Sequence, residues 1–70
     1  MIIVNLAQKQ KEIIELLEAN GYTFVKKQAL KHYFEVPAGV TDLDEEVKKV
    51  KALIKESEWG QVLFFNVIAG

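Results

Sequence analysis

The sequence predicts a single α+β domain, one sheet with helices against it, and three observations carry that expectation. Hydrophobic residues change period along the chain, from short runs to helical spacing and back, and they do so twice. β-branched and aromatic residues crowd the segments that flank the two helical stretches. The chain has 70 residues, half of them apolar. That is enough side chain for one small core and too much for a disordered segment.

Residues 2–5 form a short run rich in β-branched side chains, which reads as a buried central strand. A helix over roughly 7–20 follows. Ile13, Ile14, Leu16 and Leu17 form its apolar stripe, and Lys11, Glu12, Glu15 and Glu18 face water. Asn20-Gly21 ends it, glycine being the usual left-handed residue past a helix C-terminus. Tyr22 to Lys27 reads as strand two. Leu30 to Val36 alternates Leu30, His32, Phe34 and Val36 against Lys31, Tyr33 and Glu35, a strand period. The link Gln28-Ala29 lacks the Asn-Gly or Asp-Gly signature of a tight hairpin. Pro37-Ala38-Gly39 ends strand three.

The second helix is the plainest element. Leu43, Val47, Val50 and Ile54 recur at helical spacing with Leu53 beside them, one continuous apolar face. Thr41 with Asp44 resembles a capping box, and Asp42, Asp44, Glu45 and Glu46 suit the positive helix N-terminus. The last run, Val62 to Ile68, is apolar on both faces and reads as strand four. Six elements ordered βαββαβ have one common compact arrangement. Two right-handed crossovers interleave to give a ferredoxin-like two-layer sandwich, an antiparallel sheet ordered 4-1-3-2 with both helices on one face. A three-stranded sheet with a frayed terminus is the rival.

Composition excludes several function classes. There is no cysteine, so neither a disulfide nor a thiolate ligand or nucleophile is available. The basic residues number nine, all lysine, and the net charge is −1. Without arginine or a basic excess, sequence-specific nucleic-acid binding is disfavoured. His32 is the sole histidine and shares its alternation with Leu30 and Phe34, which suits a packed side chain better than a ligand or base. The acidic cluster at 42–46 lacks the spacing of a calcium loop, and helix-dipole compensation accounts for it. Thr41 and Ser57 have no base at recognisable spacing, and no glycine loop for phosphate is present. The expectation is a non-enzymatic domain without cofactor or metal. No run nears the roughly 18 apolar residues of a membrane span, and Met1 to Leu6 is too short for a signal peptide. A cytoplasmic location follows as the simplest expectation.

Two surfaces remain as candidates. Helices cover one face of such a sheet, so the other should be polar in a monomer. Strand four breaks that rule. With Val62, Phe64 and Ile68 on one side and Leu63, Phe65 and Val67 on the other, an apolar patch is left either way. The expected contact is Ile3, Leu63, Phe65 and Val67, pairing sheet to sheet with a second copy or another protein. The alternative is an anion or weak nucleic-acid site at the end where the connections 5–8, 26–31 and 57–61 meet. It would gather Lys26, Lys27, Lys31 and Trp59 beside a helix whose first turn, at residues 6–9, holds a lysine and no acid. Trp59 by itself reads as a plug for the end of the core.

The element order resembles that of small-molecule-sensing regulatory domains of the amino-acid-binding type, which pair through their sheets. That resemblance is one of fold alone and implies no ligand. Copper-chaperone, RNA-recognition and acylphosphatase-like domains share the order, but their cysteine pair, glycine-punctuated aromatic motif and arginine cradle are all missing. A designed origin fits the regular second helix and the absent arginine and cysteine. The irregular Lys27-Gln28-Ala29-Leu30 connection and the half-polar start of helix one do not fit it.

Overall fold

A computed structural model describes residues 1–70. Its elements are β1 (Ile2–Leu6), α1 (Gln10–Ala19), β2 (Thr23–Gln28), β3 (Lys31–Glu35), α2 (Leu43–Glu56) and β4 (Phe65–Ala69). The four strands form one antiparallel sheet ordered β2-β3-β1-β4. This is the expected ferredoxin-like order. The hydrophobic first strand sits in the middle, where both its edges are paired.

The register explains the core. Val4 lies opposite His32 on one side and Val67 on the other, and Ile2 lies opposite Phe34 and Ala69. Directly paired residues share a face. Ile2, Val4, Leu6, Phe34 and Val67 therefore point together towards the helices, where Ile13, Leu17, Val50 and Ile54 meet them. α2 packs over β4 and β1, and α1 over β2. Burying these side chains contributes roughly 1.5–3 kcal/mol each.

Besides one-residue adjustments at the ends of β1, β2, β3 and α1, three features differ from expectation, each for a local reason. α1 begins at Gln10 rather than at residue 7, because Lys9 takes a left-handed conformation at the N-cap, with φ 59°. Leu6 stays in β1, and Glu12 enters the first helical turn. The cap of α2 is Asp42 rather than Thr41: its side chain accepts from the backbone N–H of Asp44 and Glu45. β4 begins at Phe65, not Val62, since residues 58–62 turn back under the end of α2. Gly60 makes that turn possible. A Cβ there would collide with the carbonyls of Ile54 and Lys55.

The β2–β3 hairpin closes with Gln28 opposite Lys31, leaving Ala29 and Leu30 as its two turn residues. Ala29 has φ 56° and Leu30 is not positive, the sign pattern of a type II′ turn. That position ordinarily takes glycine, which is why no hairpin signature shows in the sequence. Further along, Val25 is bulged out between Phe24 and Lys26.

Candidate functional site

β4 reverses the expected face assignment. Because Val67 pairs with Val4 and Phe65 with Leu6, both point towards the helices. Val67 is only 2% exposed, Leu63 is buried and Phe65 is half-buried. Of the expected contact residues Ile3, Leu63, Phe65 and Val67, only Ile3 lies on the open side, as the partner of Tyr33 and Ile68. The residues that stand outside are the other set: Val62 is 76% exposed, Phe64 96% and Ile68 40%.

The open face is consequently mixed. One row crosses the sheet as Lys26, Tyr33, Ile3 and Ile68, and the next as Gln28, Lys31, Asn5 and Asn66. The Lys26 ammonium sits over the Tyr33 ring, 5.0 Å from its centroid. Apolar surface thus concentrates on the β1–β4 half and runs on to Phe64. There Ala7, Gln8, Val62, Leu63 and Phe64 line a shallow hollow of about 250 Å³ between two connections.

The lysine end is assembled as the topology requires, but its cations diverge. Lys26 and Lys31 lie on the open side. Lys27 pairs with His32 on the helix side, where its ammonium donates to Gln10 Oε1 at 2.7 Å. Glu12 in the first turn of α1 supplies the acid that residues 6–9 lack. Trp59 is half-buried and packs against the core. No group of three or more potential metal ligands occurs.

Two polar groups are buried, and the first of them, His32, was expected as a packed side chain. His32 is wholly buried, with Nδ1 3.2 Å from the Val4 carbonyl and 3.0 Å from that of Leu30. Both neighbours are acceptors, so Nδ1 carries the proton. Nε2 has no partner, and the ring serves as a core element tilted against Phe24. The second group is Glu46, buried on α2. Its Oε1 accepts from the Tyr22 hydroxyl at 2.9 Å, and its Oε2 lies 3.2 Å from the Lys49 ammonium. Burial, that hydrogen bond and the Glu46 charge push the Tyr22 phenol up to about 12. Tyr22 therefore stays a donor across the ordinary pH range.

These two residues border the larger cavity, about 490 Å³, which Pro37, Val40, Lys49 and Leu53 also line. Each oxygen of Glu46 already has a partner, so the pair ties the start of β2 to α2. A sequence signal existed in the acid-rich helix start, but Glu46 falls on the same stripe as Val50 and Leu53, and only the fold shows that it turns inward. No family model matches the chain, and no curated protein or solved structure matches it either.

Proposed function

We propose that this chain is a non-enzymatic interaction module that associates with a second copy of itself through the β1–β4 side of its sheet. The observation that carries the reading is the placement of Phe64 and Ile68. Three of the six large apolar side chains left exposed, Val62, Phe64 and Ile68, lie along β4 and its lead-in, whereas Val25 and Leu30 lie at the β2 side and Met1 at the N-terminus. Contiguous apolar surface of this kind marks association.

Size supports the same reading. A domain of this length buries only about 60% of the surface its unfolded chain exposes, so a partner adds stability that the core alone lacks. Sedimentation equilibrium from micromolar to near-millimolar concentration tests it. A reversible shift from monomer to dimer is expected. A monomer throughout the range overturns the proposal.

A further inference from the structure

Three connections of the chain end level with one another at one end of the sheet. The Leu6 backbone N–H donates to the Leu30 carbonyl at 3.1 Å, and Leu6 pairs with Phe65 on its other side. The β1–α1 connection, the β2–β3 turn and the segment from α2 to β4 therefore project past the same row. Two of them push large apolar side chains into water. Leu30 is half exposed, and Val62 and Phe64 stand almost free of the protein. β3 and β4 flank β1, so the strand ends that carry Leu30 and Phe64 lie roughly 10 Å apart.

The charges are sorted along the same axis. Lys9, Lys11, Lys27, Lys31 and Lys55 lie at this end or within a turn of it, against Glu12, Glu56 and Glu58. The opposite end holds Glu18, Glu35, Asp42, Asp44 and Glu45. A chain of net charge −1 thus has one positive, apolar-tipped end and one acidic end. We infer that the positive end docks on an anionic lipid surface. Phe64, Val62 and Leu30 dip below the headgroups, and the lysines meet the lipid phosphates. The lysines diverge over both sides of the sheet and so do not converge on one small anion. A plane laid across the end reaches them all, their long stems lying along it. Nucleic acid fits less well, because aliphatic Leu30 and Val62 offer no ring for a base to stack on, and arginine is absent. Attachment to a bilayer surface grows with both buried apolar area and attraction to anionic lipid, and this end supplies the two together.

The inference goes beyond the self-association proposed above, which uses the β1–β4 side. Phe64 borders both surfaces, so Leu30 and Ile68 separate them. Cosedimentation of the chain with vesicles of phosphatidylglycerol, and separately of phosphatidylcholine, is the test. Binding to the anionic vesicles is expected to be at least about tenfold tighter than to the neutral ones, and to weaken with salt. Phe64→Ser should weaken it about tenfold and Leu30→Ser a few-fold, since each withdraws apolar area from lipid. Both side chains are solvated, so the circular-dichroism spectrum stays unchanged. Ile68→Ser and Val25→Ser, at exposed apolar residues away from this end, should leave vesicle binding as it was. Equal binding to both vesicles, no binding, or a loss from Ile68→Ser as large as that from Leu30→Ser overturns the lipid site. Tighter, Phe64-dependent binding to a single-stranded oligonucleotide overturns it too and assigns the end to nucleic acid. A dimer that Ile68→Ser weakens, with no vesicle binding, sinks the lipid site alone and leaves the self-association standing.

Discussion

At one margin of the sheet, β2 carries a bulge at Val25 and the ammonium groups of Lys26 and Lys27; at the other, β4 runs from Phe65 to Ala69 with neither bulge nor charge. The means of attachment differ as well. β4 is anchored by Val67 sunk under α2, an apolar contact. β2 is almost wholly exposed apart from Phe24, and polar ties hold it: Tyr22 to Glu46 just before the strand, and Lys27 to Gln10 near its end. An edge held by side-chain hydrogen bonds and guarded by charge stays solvated. The other edge is held from one face by packing, carries no charge, and exposes its apolar Ile68 on the open side. The contrast teaches that protection from association is local to a strand here, not a property of the whole surface.

The largest expected effect sets the two anchors against each other. Val67→Asp forces a carboxylate into the core without a partner, a cost on the order of 4 kcal/mol or more, comparable to the whole stability of a small domain. Loss of the cooperative thermal transition is expected. Val25→Asp changes a bulged, half-solvated side chain and should cost under about 1 kcal/mol. Equal losses at the two positions would show that the edges are anchored alike.

The same contrast explains what the sequence made legible. Element order, sheet order and the central place of β1 follow from period changes and crossover geometry, and they hold. The phase of β4 does not follow. In Val62–Ile68 both alternating sets are apolar, so period alone cannot decide which faces the helices; the pairing of Val67 with Val4 decides it. Lys9 and Ala29 adopt left-handed conformations that their residue types do not advertise, which hid the true start of α1 and the tight hairpin. The lysine cluster was legible as a cluster at one end. Its division between two faces was not, because the bulge at Val25 shifts the side-chain parity within β2.

A smaller effect, about 1–3 kcal/mol, is expected at the polar tie of β2. Tyr22→Phe leaves Glu46 Oε1 buried without its donor. The tie also carries a pH signature. The Tyr22 phenol is raised from an ordinary value of 10.0 to about 12 in the folded state. Its contribution is complete below pH 10 and is lost as pH rises through 12, an order of 2–3 kcal/mol over the window. The variant lacks that loss, so the stability gap between the two proteins should narrow from pH 10 to pH 12 in denaturant titrations. A gap that widens over this range would mean that the phenol ionises more easily folded than unfolded, contrary to its burial.

The smallest effect is a gain, and it strengthens the guarded edge without touching the other. Ala29 holds φ 56° at the first of the two hairpin turn residues. A left-handed backbone costs a residue with a Cβ roughly 1–2 kcal/mol, and glycine almost nothing. Against that, glycine loosens the unfolded chain by about 0.4–1 kcal/mol. Ala29→Gly should therefore stabilise by roughly 0.5–1 kcal/mol, raising the thermal midpoint by several degrees in a domain of this size. The constant of the self-association proposed above should not move, because the turn lies at the β2 side of the sheet, away from the β1–β4 side. An unchanged or lowered midpoint would show that the turn is unstrained. A shifted dimerisation constant would show that the two edges are coupled through the sheet, and that the division drawn between them is too sharp.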